Sequence, residues 1–424
     1  MSKNKFKERY KYILMHKDVE VAEILMTDDG HIININDVYE PQHLPVGTLK
    51  NGKCNSMLLN TWWAYRAIPT TRKGINEVLQ ALNIGSTQAL SARCLGLSLS
   101  EHYWIKPYGA NLSWESINFF ENTFSEELGD ALLGLDTGKA QIDLKHIGKI
   151  ESLSPDSTSN GNLKKRWKII NGERVLLKAG TFPYQQEPFN EQIASALMKR
   201  LGIPHISYDV VWIDELPYSV CPCFTDKNTE LVTAYSVLAS KNKPNHQNFY
   251  QHYLNICNEA GVRDIQTFMD KMIVTDYIIA NEDRHTNNFG LLRNADTLEF
   301  ISAAPVYDSG TSLLYNKPVD IPNRSSIIEC KPWYETHDKQ LKLISSFDWF
   351  DASKLDGFGE EMANILEPLK EKGYVDEKRV NGLVEFVESR ISYIKSLSER
   401  KTESCEEAES DVLDLTQEQS CGRK

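Results

Sequence analysis

Residues 281–288 read Asn-Glu-Asp-Arg-His-Thr-Asn-Asn, which sets a carboxylate, Asp283, five positions ahead of an amide, Asn288. A second carboxylate follows at Asp308, inside Pro305-Val306-Tyr307-Asp308-Ser309-Gly310. Phosphoryl transfer from ATP asks for little covalent chemistry from a protein. It needs a carboxylate beside the attacking hydroxyl and oxygen ligands that hold Mg²⁺ on the phosphates. Asp283 fits the first task, and Asn288 with Asp308 fits the second. Asp and Asn after a helix are also common turn formers, so an Asp and an Asn at this spacing carry little weight alone. The second Asp, the hairpin expected between the two sites and the Arg284-His285 pair lift the segment above that background.

Elements must position these groups. Phe268, Met272, Ile273, Asp276, Tyr277 and Ala280 recur near helical spacing, so residues 266–280 read as an amphipathic helix that stops at Asn281. Asp283 then lies on a loop just past the helix end. Phe289-Gly290-Leu291-Leu292 and Glu299-Phe300-Ile301 read as paired strands turning through Asn294-Ala295-Asp296. Such a hairpin returns Asp308 toward Asn288.

A kinase also needs a cation on the phosphates and a carboxylate to position it. Trp167–Ile170 and Val175–Lys178 flank the turn Asn171-Gly172, which reads as a hairpin with Lys178 on its second strand. Phe189, Ile193, Leu197 and Leu201 form a helical stripe within residues 187–201, and Glu191 on that helix is placed to pair with Lys178. Glu187 on the same helix competes for the role. Upstream, Ser154-Pro155-Asp156-Ser157-Thr158-Ser159-Asn160-Gly161 is a small-residue loop of the kind whose backbone N–H groups can surround phosphates. Its bland reading is a surface loop, and it has neither a GxGxxG nor a GxxxxGK[ST] pattern. The basic cluster Lys164-Lys165-Arg166 is expected to meet ATP phosphates or solvent.

These blocks together resemble a bacterial HipA-like serine/threonine kinase over roughly residues 146–397. The carrying residues are the loop 154–161, Val175–Lys178, Glu187–Glu191, Asp283–Asn288 and Ala304–Leu313. The Asp-Arg-His-x-x-Asn form is also similar to the catalytic loop of phosphoinositide kinases. The resemblance implies an α+β, bilobal protein-kinase-like fold, with a small sheet-bearing lobe (141–240), a larger helical lobe (241–397) and ATP between them. It implies that Asp283 orients or deprotonates the acceptor, that Asn288 and Asp308 bind Mg²⁺, and that Lys178 contacts the α/β-phosphates and pairs with Glu191. His285 braces the loop or contacts the γ-phosphate. Ser157, Thr158 or Ser159 becomes the self-phosphorylated position. The adenine-reading hinge falls near Cys221-Pro222-Cys223-Phe224. The implied partners are a protein with a Ser or Thr acceptor and a small helix-turn-helix antitoxin. An inositol-lipid kinase and a non-catalytic corepressor are the competing functions.

Residues 1–140 read as an extra α/β accessory region: a strand over 19–25, then helices over 71–83 and 113–124. Its aromatic clusters, Trp62-Trp63-Ala64-Tyr65 and His102-Tyr103-Trp104, read as core packing ahead of a docking surface. The tail from Ser398 is acidic, lacks aromatics and reads as disordered. The chain has 424 residues, 41% of them hydrophobic and 25% charged, an ordinary composition for a globular protein. Its net charge of −12 argues against direct binding to nucleic acid. No apolar run approaches the roughly 18–20 residues of a membrane helix, and no apolar signal core follows Met1-Ser2-Lys3-Asn4-Lys5, so a cytoplasmic location is expected. The eight scattered cysteines fit reduced thiols. Cys221 and Cys223 lack a second ligand pair nearby, so no metal is expected there. Ser325 and Ser326 fall where a kinase has its activation segment.

Overall fold

The computed structural model describes residues 10–133, 153–317 and 327–421, with side chains up to Lys401. It is a mixed α+β structure of several small sheets and helices. Two compact units are each assembled from separate stretches. The first comprises Met1–Pro188, Ile206–Arg263 and Thr286–Pro305, and the second Phe189–His205, Asp264–His285 and Val306–Lys424.

The first unit opens with strands β1 (Lys11–His16), β2 (Val19–Met26) and β3 (Ile32–Val38), followed by the short pair β4 (Leu49–Lys50) and β5 (Lys53–Cys54) and by β6 (Tyr103–Pro107). The antiparallel order β3-β2-β1-β6 makes a four-stranded sheet. Side chains alternate along a strand, and here both faces are buried. Ile13 and Met15 pack with Trp104, Trp114 and Phe119, while Leu14 packs with Leu59, Trp63, Tyr103 and Ile105. That explains why β1 reads Tyr-Ile-Leu-Met without alternation. Trp63 is fully buried and donates from Nε1 to the Gly30 carbonyl at 2.9 Å, so the core reading of this aromatic cluster holds for Trp63, while Tyr65 is exposed.

Two helices here are shorter than their sequence pattern. The first runs only Ile75–Ala81, and the second is the single turn Trp114–Ile117. Asn118 ends the second with an extended backbone (ψ 147°): its N–H makes the last helical bond to the Trp114 carbonyl at 3.0 Å, and its Nδ2 reaches the same carbonyl at 3.1 Å.

The second sheet has order β7-β8-β10-β9, built from β7 (Lys165–Ile170), β8 (Glu173–Ala179), β9 (Asp209–Ile213) and β10 (Leu216–Pro222). Asn171 (φ 52°) and Gly172 (φ 85°) close the β7–β8 hairpin in left-handed conformations, as a tight Asn-Gly turn requires. The third sheet, β11-β12-β13, uses β11 (Thr229–Thr233), β12 (Gly290–Asn294) and β13 (Phe300–Ala303). Gly290 is required there: a Cβ would collide with the Val232 carbonyl on β11.

The second unit is mainly helical. Its helices include Glu187–Leu201 (from Phe189 onward), Ile265–Ile278, Phe358–Glu371 and Glu377–Cys421. The stripe Phe189, Ile193, Leu197 and Leu201 is buried as its spacing predicts. Arg200 joins the first of these helices to Glu361 at 2.6 Å. Arg390 donates to the Tyr277 carbonyl at 2.6 Å and lies over the Tyr277 ring at 3.8 Å. The last helix runs on through Cys421, so the acidic stretch whose composition suggests disorder is helical in its backbone. Its Glu, Ala, Leu and Gln residues are good helix formers, and composition weighed against a packed core misses that local preference. No helix among the described residues is long and apolar enough to cross a membrane. Ser325 and Ser326 lie outside the described residues.

Candidate active site

In the second unit the helix Ile265–Ile278 ends as Ala280 turns left-handed (φ 51°) and the Asn281 N–H bonds back to the Asp276 carbonyl at 2.9 Å. The residues that follow are held by one guanidinium. Arg284 is fully buried. Its Nε lies 3.0 Å from Asp276 Oδ2 and its Nη2 2.9 Å from Oδ1. The same side chain donates to the carbonyls of Tyr307 and, at 3.4 Å, Asp308, and to Ser309 Oγ at 2.8 Å. A planar fork with five donors suits this bridging, which a lysine could not reproduce. Burial works against the charge, but the Asp276 carboxylate outweighs it and raises the guanidinium pKa. A second helix holds the same segment from another side. Asn190 Nδ2 donates to the carbonyls of Gly310 and Ser312 at 2.9 and 2.7 Å, and Glu191 Oε2 accepts the Ser309 N–H at 2.8 Å. Asp308 sits in a left-handed conformation (φ 58°), a strain that such surroundings must impose.

Asp283 is half-exposed. Lys331 Nζ contacts its Oδ1 at 2.7 Å, and His285 Nε2 is 3.9 Å from Oδ2. An exposed pair of this kind contributes about 0–1 kcal/mol to stability, so the Asp283 carboxylate remains open to exchange partners. Its backbone is firmer: the Asp283 N–H bonds to Asn281 Oδ1 at 3.2 Å, and the His285 N–H to the Asp283 carbonyl at 2.8 Å.

The first unit carries Lys178, Asn288, Cys223 and the loop 154–161. Lys178 is buried on β8, with its Nζ 5.4 Å from the centre of the Tyr208 ring. Directly opposite on β7 stands Lys165, also buried. Like charges facing each other across strands are unfavourable by themselves. The strand alternation splits the basic cluster that sequence reading sends to phosphates or solvent. Arg166 points the other way and pairs with Glu126 at 2.6 Å and with Asp130, and Lys164 donates to the Leu133 carbonyl at 3.0 Å. Asn288 is buried just ahead of β12. The chain around it is pinned where Ala234 N–H meets the Phe289 carbonyl at 2.9 Å and Tyr235 N–H the Thr286 carbonyl at 2.9 Å.

The hydroxyl-rich loop is a buried 3-10 turn over Pro155–Thr158 and not a surface loop. Its hydroxyls donate inward. Ser157 Oγ reaches the Ser154 carbonyl at 3.1 Å, Thr158 Oγ1 the Leu97 carbonyl at 2.8 Å, and Ser159 Oγ the Asp156 carbonyl at 2.7 Å. Arg72 pins the far end, donating to Ser159 Oγ at 3.0 Å and to the Gly161 carbonyl at 2.9 Å. Glu187, the competitor of Glu191, is engaged locally: its carboxylate accepts the Thr181 N–H at 3.0 Å and the Thr181 hydroxyl, and burial raises its pKa. Cys223 donates from its backbone N–H to the Arg174 carbonyl at 2.8 Å and from Sγ to the Leu99 carbonyl at 3.3 Å. Burial pushes its thiol pKa up.

Sequence reasoning missed Arg72 and Lys331, and it used Lys165, Asn190 and Arg284 only as parts of a cluster or pattern. One signal pointed to Arg284: Asp276 is a carboxylate on the apolar stripe of its helix, and a buried acid needs a cation.

A family model described as the HipA-like C-terminal domain matches residues 142–372. No curated protein matches the chain. Among solved structures, the Helicobacter pylori proinflammatory kinase CtkA is similar at 19% identity with a TM-score of 0.42, covering 57% of this chain and 95% of its own. The HipA chain of the Shewanella oneidensis toxin–antitoxin structure with HipB and operator DNA is similar at 13% identity with a TM-score of 0.52, covering 90% of this chain and 96% of its own. The latter likeness shows a shared fold.

Proposed function

The chain belongs to the family of HipA-like C-terminal domains, and on that premise we propose that it is a phosphotransferase that moves the γ-phosphoryl group of ATP to a Ser or Thr hydroxyl of a protein. The observation that carries the reading is the Arg284 clamp. One buried guanidinium ties the helix end at Asp276, the loop of Asp283 and the backbone of Asp308 into a single rigid piece. Catalysis of phosphoryl transfer is mostly positioning and electrostatics, and this arrangement supplies positioning.

In this reading Asp283 accepts or orients the proton of the incoming hydroxyl. Its exposed contact with Lys331 yields to the substrate, and His285 lies close enough to steady the carboxylate. Asn288 and Asp308 offer hard oxygen donors, the ligand type that Mg²⁺ takes. Mg²⁺, when bound, reduces the repulsion between the phosphates and the attacking oxygen. Lys178, reinforced by Lys165, binds the phosphate oxygens. Glu191 fixes Ser309 and through it the approach of Asp308. Self-phosphorylation at Ser157, Thr158 or Ser159 is part of the proposal, and it requires the buried turn to open first, since each hydroxyl is engaged with a backbone carbonyl. The Shewanella structure also holds HipB and operator DNA, and we carry a small companion protein of that kind over as the proposed partner.

The test is transfer from labelled ATP with Mg²⁺, with modified residues mapped by mass spectrometry. Asp283→Asn should lower the rate by at least about 10²-fold, the usual floor for a general-base contribution, and Asp308→Asn should lower it by weakening the hold on Mg²⁺. Equal labelling in wild type and both variants removes the enzymatic reading. A panel of inositol lipids beside the protein substrates tests the acceptor class.

A further inference from the structure

Three buried side chains from three separate stretches of the first unit aim at one point. His16 ends β1, His102 immediately precedes β6, and Glu230 lies in β11; their side-chain exposures are 0%, 0% and 1%. His16 Nε2 is 3.2 Å from Glu230 Oε2, and His102 Nδ1 is 3.3 Å from the same oxygen. The three atoms lie within 4.8 Å of one another.

Hydrogen-bond accounting requires a proton or a metal ion between His102 and Glu230. His102 Nε2 faces the Asp226 carbonyl at 2.9 Å, and a carbonyl only accepts, so this nitrogen carries hydrogen. A neutral imidazole has one N–H. Nδ1 is then a lone pair, yet it faces a carboxylate oxygen, a second acceptor. Either a proton or a metal ion must stand between them. A proton would give a charge-assisted bond, normally about 2.7–2.9 Å long. The contacts of 3.2 and 3.3 Å are longer than that. These two edges match the ligand-to-ligand edge, roughly 3.3 Å, of a tetrahedron with bonds of about 2.0–2.1 Å, and the two imidazole nitrogens lie within 4.8 Å of each other.

The outer partners agree. Metal-binding histidines generally donate their other N–H to a fixed acceptor, and ligating carboxylates are themselves hydrogen-bonded. His102 Nε2 has the Asp226 carbonyl, and His16 Nδ1 has His43 Nδ1 at 3.0 Å. Arg293 takes the other oxygen of Glu230, with Nε at 2.7 Å and with Nη2, so that Oε2 faces the imidazoles and also the His102 N–H at 3.3 Å. Both rings are held by stacking, His16 on Tyr103 at 4.5 Å and His102 on Phe120 at 4.9 Å.

We propose that His16, His102 and Glu230 form a buried divalent-metal site, suited by its two imidazoles and one carboxylate to Zn²⁺, that clips β1 and β6 to β11. Ligands up to 214 positions apart make it a long-range tie, and metal binding of this kind contributes directly to folding. The positive Arg293 opposes a dication, so affinity falls below that of an all-thiolate site.

The full chain is purified without chelator and its metal content measured by inductively coupled plasma mass spectrometry. It is then stripped with EDTA and titrated with Zn²⁺ or Mg²⁺ while Tm is followed. Stoichiometric zinc, a Tm that rises by several degrees with Zn²⁺ and not with Mg²⁺, and zinc absorption spectra showing only N/O ligands support the site. His102→Gln and Glu230→Gln should abolish binding; where either fails to fold, the wild-type titration decides. A wild type that purifies without zinc and whose Tm ignores added Zn²⁺ overturns the proposal, as does ¹⁵N NMR showing both His102 ring nitrogens protonated. None of these readouts depends on ATP turnover, so the kinase reading stands or falls separately.

Discussion

Arg284 holds a buried charge in place with a second charge and three backbone or hydroxyl acceptors. Its removal leaves the Asp276 carboxylate buried without its partner. Arg284→Met is therefore expected to cost about 3–5 kcal/mol, the usual result of breaking a buried pair, and to lower phosphoryl transfer through the loosened Asp308 backbone. Arg284→Lys keeps the charge but not the fork, so it should recover part of the stability and little of the rate. Urea unfolding beside steady-state kinetics checks both; a variant as stable as wild type refutes the clamp. Asp156 gives a pH signature. Burial pushes its carboxyl up to about 7 from an ordinary 3.8, even though its Oδ1 accepts the Trp167 N–H at 2.7 Å. Between those values the folded chain keeps a proton that the unfolded chain releases. This contribution to stability is fully present below the unfolded value and is lost as pH rises through about 7. Within the window the loss approaches about 1.4 kcal/mol per pH unit. Asp156→Asn should flatten that slope in urea midpoints compared from about pH 5 to 8 with wild type. A variant whose slope equals that of wild type removes the assignment.

At the scale of elements, local chemistry decides most boundaries. The Asn171-Gly172 turn adopts the two left-handed conformations that its residues favour, and the β7–β8 pairing follows. The helix Glu187–Leu201 begins and ends where its apolar stripe does. The single turn Trp114–Ile117 is the counterexample: the backbone of Asn118 turns extended and the chain leaves the helix although the sequence pattern runs on. Gly290 offers the sharpest test of strand packing. Gly290→Ala places a methyl group against the Val232 carbonyl and forces β11 and β12 apart. A cost of about 1–3 kcal/mol is expected, as for other overpacked interiors, measured by chemical denaturation. Unchanged stability would mean that the strands shift without penalty.

For the molecule as a whole, the net charge of −12 makes a forecast about partners. Non-specific DNA binding rests on neutralising phosphates and falls steeply with salt. The chain alone should therefore show no retardation of duplex DNA at physiological salt, whatever a basic companion protein does in its presence. Tight, salt-sensitive binding by the purified chain would contradict this. The family membership spans residues 142–372, whereas the strands of the sheet β3-β2-β1-β6 lie within residues 11–107, and one face of that sheet packs with Trp114, Phe119 and Leu153 from beyond them.

The sequence by itself determined the local elements and the chemical types of the proposed site. Asp283, Asn288, Asp308 and Lys178 lie in or beside motifs a few residues long, and short motifs are legible because hydrogen-bonded turns and apolar periodicity act over the same few residues. Tertiary structure alone decided what surrounds them. It gave Arg166 to Glu126 and turned the loop hydroxyls inward. It also drew His16, His102 and Glu230 together across more than two hundred positions. No local spacing encodes such meetings, because they depend on where whole sheets pack once burial of apolar surface has folded the chain.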